Sequence, residues 1–209
     1  MTSPPVALKL VAGLGNPGAK HAETRHNAGF WFLDRLAARH RLTFAADPRL
    51  FGEQARLQYD DLDIRLFKPA TYMNDSGRAL QAIMNYYRLA PTELLVVHDE
   101  IDLEPGTIRL KLGGGHAGHN GVRDIIDCIG SHDFNRLRIG VGHPGEKERV
   151  VGAVLGRPTA AEKKIIDSAI DTALELLPLI MTGEFNKAMN QLHRSDKSQA
   201  ISNKIDPED

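Results

Sequence analysis

Short apolar runs alternate with longer amphipathic segments along most of the chain. Residues 7–13 are apolar and end in glycine, which is typical of a buried strand. Two runs that flank Asp60 and Asp61 predict a hairpin. Together the patterns predict strands at residues 7–13, 54–59, 62–67, 94–97, 107–112 and 136–141.

The amphipathic segments predict helices. In residues 28–40 the apolar positions recur near helical spacing. Ser76 or Asp75 is the expected cap of the next helix, and Pro158 lies at the start of a longer one. The predicted helices are residues 28–40, 76–88, 119–129, 159–177 and 184–193.

This alternation of strands and helices favours an α/β fold, namely a single domain with a twisted mixed β-sheet flanked by α-helices. The hairpin is the antiparallel part of the sheet. No internal repeat or linker divides the 209 residues, so residues 1–193 are predicted to form one domain. Residues 194–209 are polar and aperiodic, and are predicted to be a disordered tail.

Composition and charge exclude several classes of protein. The net charge of −1 argues against a chain that coats nucleic acid, although a local basic patch stays possible. The only cysteine, Cys128, excludes an intrachain disulfide and a cysteine-rich zinc site. No apolar run reaches the roughly 18 residues of a membrane span, and no signal peptide is recognised. A soluble cytoplasmic protein is therefore expected.

Residues 13–18 (GLGNPG) have the glycine spacing of a dinucleotide fingerprint, but their context differs. That fingerprint needs a helix that opens at its third glycine, whereas the predicted helix begins about ten residues after Gly18. A glycine-rich turn at the ligand edge of the sheet fits better, and it would hold Asn16 with its amide exposed.

His26 and Asp99 are the candidates for acid–base chemistry. His26 precedes a predicted helix, and a neutral imidazole can take a proton from water near pH 7. Asp99 follows a buried strand and could orient a histidine. Taken singly, His26 also fits a surface or capping residue, and Asp99 also fits a solvated turn. Since no G-x-S-x-G, HExxH or P-loop motif occurs, water activated by a histidine and a carboxylate is the simplest hydrolytic chemistry.

Residues 113–121 (GGGHAGHNG) suggest an anion site, because glycines expose backbone N–H groups and a helix N-terminus follows. Residues 106–145 hold five basic residues against three acidic ones, a local excess of two. His116 and His119 have the spacing of two metal ligands, but further ligands are missing, so no metal is expected. Asn74 either caps a helix or presents its amide to a peptide backbone.

Six segments together resemble the bacterial-type peptidyl-tRNA hydrolase family. The resemblance runs from about Leu8 to about His193, in order and with matching gaps. The segments are GLGNPG (13–18), TRHNAG (24–29), PATYMNDSG (69–77), VVHDEIDLEPG (96–106), RLKLGGGHAGHNG (109–121) and RLRIGVGHPG (136–145).

The resemblance implies an activity. The family cleaves the ester between the C-terminus of a peptide and the 3′-terminal ribose of tRNA, and so recycles tRNA from prematurely released peptidyl-tRNA. It needs no metal or organic cofactor. The resemblance also implies a monomer that binds the acceptor end and the nascent peptide and does not associate with membranes.

The same resemblance implies site residues. His26 is the catalytic histidine and Asp99 is the carboxylate that orients it. The substrate-binding positions are Asn16, His21, Tyr72, Met73, Asn74, His119 and Asn120. The positions that meet tRNA phosphates are Arg109, Lys111, Arg138 and Lys147.

Two positions depart from the family pattern. His21 stands where a tyrosine is usual, at a site associated with the tRNA acceptor end; an imidazole can still stack or donate one hydrogen bond. Arg109 replaces the commoner lysine and keeps the charge. Two alternatives stay open: a non-catalytic RNA-binding module on the same fold, and a nucleotide-dependent enzyme built on Gly13–Gly18.

Overall fold

The computed structural model describes residues 5–192, and it confirms the α/β class. The strands of its sheet are β1 (Leu10–Gly13), β2 (Ala45–Asp47), β3 (Gly52–Tyr59), β4 (Leu62–Pro69), β5 (Leu94–Glu100), β6 (Ile108–Leu112) and β7 (Asn135–Gly140). The helices are α1 (Ala28–Arg39), α2 (Ser76–Tyr87), α3 (Asn120–Ile129), α4 (Val150–Val154), α5 (Ala160–Glu175), α6 (Leu177–Met181) and α7 (residues 185–192).

The seven strands form one mixed sheet in the order β2-β3-β4-β1-β5-β7-β6. The four central strands, β4, β1, β5 and β7, run parallel to one another. The outer pairings are antiparallel: the β3–β4 hairpin with β2 on one side, and β6 beside β7 on the other. Since parallel strands end at a common edge, the loops after β1 and β5 meet there.

Helices cover both faces of the sheet. Val11 of β1 packs into a core with residues of α1, α5 and α6, whereas its neighbours Leu10 and Ala12 pack on the other face with α2 and α3. This alternation follows from the period of two along a strand. It explains why residues 10–12 of β1 and residues 94–97 of β5 are all apolar.

Two glycines let α1 lie directly against the sheet. A Cβ atom on Gly13 would come within 2.3 Å of the carbonyl oxygen of Gly29, and one on Gly29 would come within 2.3 Å of Leu14 N and Val97 O. Any side chain at either position would push the helix away from β1 and β5. His26, one turn before α1, is thereby held close to the end of β5.

The predicted strands and long helices are confirmed, with ends that shift by a few residues. The first strand is shorter than predicted, since only Leu10–Gly13 pairs in the sheet. β5 runs on through His98 and Asp99 to Glu100, so Asp99 is a strand residue and not a turn residue. Strand β2 and helices α4 and α6 were not predicted.

The expected cap of α2 needs a correction. Asp75 occupies the cap position without a side-chain cap bond, and Ser76 Oγ donates to Met73 O instead. At α5, Pro158 precedes the helix as predicted, and Thr159 caps it in a reciprocal arrangement with Glu162. Residue 193 and the predicted tail, residues 194–209, lie outside the described residues.

Candidate active site

His26 and Asp99 form a buried hydrogen-bonded pair at the carboxyl edge of the sheet. His26 sits in a short 3-10 helix (Arg25–Asn27) just before α1, and Asp99 is near the end of β5. His26 Nδ1 lies 2.9 Å from Asp99 Oδ1 and 3.0 Å from Oδ2. Because the carboxylate accepts the Nδ1 proton, His26 Nε2 carries the lone pair and can accept a proton.

His119 binds the same carboxylate. Its Nδ1 accepts a hydrogen bond from Val122 N at 3.2 Å, so its Nε2 carries the proton and donates to Asp99 Oδ1 at 3.0 Å. The backbone of α3 therefore fixes the tautomer of His119. Asp99 Oδ1 thus receives two imidazole donors, one from each side.

Burial and charge act in opposite directions on this cluster. Burial by itself would lower the pKa of His26, but the charge and hydrogen bond of Asp99 outweigh it and raise the pKa above its ordinary value. Burial likewise opposes ionisation of Asp99, yet His26 and His119 hold its pKa far below the usual range. Asp99 is therefore a carboxylate at neutral pH, ready to stabilise an imidazolium at His26.

Asn16 is held rigidly in the loop after β1. Its backbone N–H donates to Asn27 Oδ1 at 2.8 Å, and Asn27 Nδ2 donates back to Asn16 O at 3.0 Å. The side-chain Oδ1 of Asn16 accepts from Met73 N at 2.8 Å, which leaves its Nδ2 as a donor. Asn27 is buried beside His26 and was missed from the sequence, where it resembles an ordinary helix cap.

One open cleft of about 630 Å³ brings the predicted catalytic and substrate-binding residues together. Asn74, Tyr72 and Asn120 are exposed along it, whereas Met73 is buried in its wall. The apolar side chains of Ile101 and of α4 with Leu155 line it as well. The predicted residues that line it are Asn16, His21, His26, Tyr72, Met73, Asn74, Asp99, His119 and Asn120.

The predicted phosphate-binding residues lie elsewhere, on β6 and β7. Arg109 pairs with Arg138 across the two strands, and Lys111 pairs with Arg136. Since these positions are two apart on each strand, all four cations share one face of the sheet. Like charges directly opposite destabilise a sheet, so an anion bound by the half-buried Arg109, Lys111 and Arg138 would relieve this repulsion; Arg136 itself is buried. Lys147 begins a 3-10 helix after β7, but its side chain is not among the described groups.

A family model described as peptidyl-tRNA hydrolase matches residues 10–200. The chain belongs to the peptidyl-tRNA hydrolase family. A relative from Edwardsiella ictaluri, named peptidyl-tRNA hydrolase, is 52% identical over 189 residues, which cover 90% of this chain and 96% of the relative. One of the same name from Xanthomonas euvesicatoria is 51% identical over 91% of this chain and 99% of its own length.

A solved structure agrees with this assignment. The crystal structure of peptidyl-tRNA hydrolase from Acinetobacter baumannii superposes with a TM-score of 0.87 at 48% identity, covering 91% of this chain and 97% of that one. The fold of the peptidyl-tRNA hydrolase family is thus the fold described here. Among residues 5–192, no helix is both long and apolar enough to cross a bilayer.

The glycine-rich segment, residues 113–121, does not have the structure of the anion site that its sequence suggests. The carbonyl groups of Gly113, Gly114 and Gly115 point at the guanidinium group of Arg136. The N-terminus of α3 is capped by the side chain of His119, which accepts a hydrogen bond from Val122 N. Arg136 was not among the predicted site residues, because an arginine on a strand gives no sign of what it contacts.

The two histidines with the spacing of metal ligands, His116 and His119, do not come together as ligands. His116 Nδ1 accepts from Gly118 N at 3.0 Å, whereas His119 faces Asp99. His26, Asp99 and His119 do offer ligand-type atoms within 4.8 Å of one another. Both of those histidine nitrogens already donate protons to Asp99, so a metal would have to displace two hydrogen bonds. Metal-free hydrolysis therefore stays our prediction.

At position 21, the ring of His21 lies edge-on to Tyr72, with the ring centroids 6.4 Å apart. Both residues line the same side of the cleft. An aromatic contact is thus present at this position, where the resemblance led us to expect a tyrosine.

Proposed function

We propose that this member of the peptidyl-tRNA hydrolase family cleaves the peptidyl ester by a water molecule that His26 activates and Asp99 supports. The observation that carries the proposal is the buried His26–Asp99 pair, 2.9 Å apart, in the floor of the cleft that also holds Asn16, Asn74 and Asn120. Such a base contributes about 10²–10⁴-fold to a reaction rate.

The steps of the proposed hydrolysis follow from the tautomer of His26, which carries its proton on Nδ1. His26 Nε2 takes a proton from water while the water oxygen attacks the ester carbonyl carbon. The imidazolium that forms is stabilised by Asp99. When the tetrahedral intermediate collapses, the bond to the ribose oxygen breaks, and His26 returns the proton to that oxygen. The products are tRNA with its hydroxyl group restored and a peptide carboxylic acid, which then loses its remaining proton to solvent.

The asparagines supply amide donors. Asn16 Oδ1 is occupied by Met73 N, and Asn120 Oδ1 accepts from Arg123, so the Nδ2 group of each is left to donate. We propose that these groups and Asn74 bind the peptide backbone, the 3′ end and the developing oxyanion. A preorganised donor at an oxyanion contributes about 10²–10³-fold. Backbone recognition suits a substrate whose side chains vary.

The tRNA is proposed to lie across β6 and β7. Arg109, Lys111 and Arg138 share one face there, and Arg138 is only loosely paired with Glu100 at 3.5 Å. Lys147 is proposed to join them. Contacts between these cations and phosphates would make tRNA binding fall as salt rises. We also propose that the chain acts as a cytoplasmic monomer without a cofactor.

The test is hydrolysis of N-blocked aminoacyl-tRNA compared with free aminoacyl-tRNA, in the presence of a chelator. We expect rapid release of tRNA from the blocked substrate only, unaffected by the chelator. If the folded protein binds tRNA and cleaves neither substrate, a non-catalytic RNA-binding module replaces this proposal. Loss of cleavage on chelation would instead indicate a metal at His26, Asp99 and His119.

A further inference from the structure

Arg136 is a buried cation whose Nη groups donate hydrogen bonds to one loop. The residue is only 2% exposed. Its Nη1 donates to Gly115 O at 2.7 Å, and its Nη2 donates to Gly113 O at 2.8 Å and to Gly114 O. Three consecutive carbonyl groups thus converge on one planar guanidinium group, whose fork of donors suits them.

The surroundings of Arg136 disfavour its positive charge. Burial and the nearby Arg138 together lower its pKa although the charge of Glu100 acts to raise it, and within residues 5–192 no carboxylate forms an ion pair with Arg136. Its Nε is buried without a hydrogen-bond partner in the same part of the chain. The three glycine carbonyls are the hydrogen-bond acceptors of the buried guanidinium, which also lies 5.1 Å from the centre of the Phe134 ring, and the guanidinium in turn fixes the orientation of the carbonyls.

The loop that Arg136 holds leads straight into the active site. Gly113–Gly115 is followed by a tight turn with Ala117 and Gly118 at positive φ, and then by His119 and Asn120. His119 donates to Asp99, and Asn120 lines the cleft. A shift of the loop would thus move two groups that face the substrate.

We propose that Arg136 is a positioning residue for hydrolysis, which acts by fixing the Gly113–Gly115 backbone so that His119 and Asn120 are correctly placed. The inference rests on the mechanism proposed above. It assigns Arg136 a different task from Arg138, although both are arginines on β7 and face the same side. Arg138 keeps 24% of its side chain exposed and is available to a phosphate.

The experiment compares Arg136→Met and Arg136→Lys with the matched variant Arg138→Met. For each we would measure kcat and KM on N-blocked aminoacyl-tRNA, and the affinity for uncharged tRNA. We expect Arg136→Met to lower kcat by about 10²-fold, since a misplacement on the order of 1 Å can have that effect. Its affinity for uncharged tRNA should stay near wild type. Arg138→Met should instead weaken tRNA binding.

A rescue experiment separates positioning from general damage to the fold. Added guanidinium ion should restore part of the kcat of Arg136→Met, whereas sodium chloride at the same ionic strength should not. Amide hydrogen exchange should speed up in residues 113–120 and stay unchanged in α1. If Arg136→Met does not fold, the same exchange and kcat measurements on Arg136→Lys test the proposal. A single ammonium group cannot bind all three carbonyls, so Arg136→Lys should also show a lower kcat and faster exchange in residues 113–120.

Two results would overturn the proposal. One is a loss of tRNA affinity in Arg136→Met equal to that of Arg138→Met with an unchanged kcat, which would make Arg136 a phosphate ligand. The other is a loss of kcat without faster exchange in residues 113–120. His26→Ala, assayed alongside, shows whether the underlying mechanism holds, so the failure of one idea is distinguishable from the failure of the other.

Discussion

At the scale of single residues, the site depends on one carboxylate that serves two imidazoles. Asp99 accepts from His26 and His119 and keeps each ring in one tautomer. An asparagine at this position has a single acceptor oxygen and no charge. Its Oδ1 can still accept from both rings, but the neutral amide cannot stabilise the imidazolium of His26 by charge.

Asp99→Asn should therefore change both the rate and its pH dependence. We expect the plateau rate to fall by roughly 10²-fold or more, because the supporting charge is lost. The wild-type rate should rise with pH through a pKa of His26 above its ordinary value, since the base must be neutral. In the variant only burial still acts, so the pKa of His26 falls and the acid limb moves to lower pH.

The pH–rate profile of kcat/KM checks this prediction. Asp133→Asn is the control, because Asp133 is exposed and pairs with His132 at the surface. That variant should keep the wild-type profile. An acid limb that stays in place in Asp99→Asn would show that the charge of Asp99 does not set the pKa of His26.

The sequence was enough to pick out the candidate site residues, but not to predict which groups they contact. His26, Asp99 and the asparagines were found because they stand next to strand and helix ends that periodicity reveals. The roles of Asn27 and Arg136 could not be found in this way. Each acts by hydrogen bonds to backbone groups that are distant in sequence, 11 residues away for Asn27 and more than 20 for Arg136.

At the scale of elements, Arg25 connects the segment that follows α4 to the 3-10 helix that carries His26. Its Nη1 donates to Arg157 O at 2.8 Å, its Nη2 binds Glu162 at 2.8 Å, and its backbone N–H donates to Gly156 O at 3.0 Å. The segment held in this way carries Val151 and Leu155, which form part of the cleft wall. The wall and His26 are thus linked through adjacent residues.

Arg25→Met should weaken substrate binding more than it slows chemistry. Hydrogen bonds to a charged group contribute about 1.5–3 kcal/mol each, so we expect KM to rise on the order of tenfold. Arg39→Met is the matched control, because Arg39 pairs with Asp171 at the surface and neither residue lines the cleft. Steady-state kinetics with peptidyl-tRNA measure both; a KM of Arg25→Met equal to that of the control would show that the tether does not shape the cleft.

The cationic face of β6 and β7 makes a second prediction at this scale. Arg138→Ala should weaken tRNA binding and reduce the slope of log affinity against log salt by about one. Arg56→Ala is the control: Arg56 lies on β3, paired with Asp63 and separated from β7 by three strands of the sheet. A salt titration of tRNA binding measures both slopes. An unchanged slope in Arg138→Ala would mean that this residue meets no phosphate.

The elements that sequence reasoning missed are the short ones. Residues 150–154 (VVGAV) are too few and too uniformly apolar to show a helical period, and their helix is held by contacts with Arg25. Strand β2 has three residues and exists through its pairing with β3. Long elements were predicted well, because a buried face repeats several times within each.

At the scale of the whole molecule, the fold separates two tasks. The carboxyl edge of the parallel strands holds the cleft with His26, Asp99 and the asparagines. The β6–β7 edge holds the cations. The glycine-rich loop after β6 runs from one region to the other, so the α/β architecture predicted from the sequence connects the proposed phosphate-binding face to the proposed site of ester cleavage.

The central claim is that His26 is the base that activates water, and His26→Ala tests it most directly. The measurement is single-turnover hydrolysis of N-blocked aminoacyl-tRNA with enzyme in excess, alongside thermal unfolding and tRNA binding. We predict a folded protein that binds tRNA normally and whose rate falls by about 10²–10⁴-fold. A folded variant with near wild-type turnover would contradict the account.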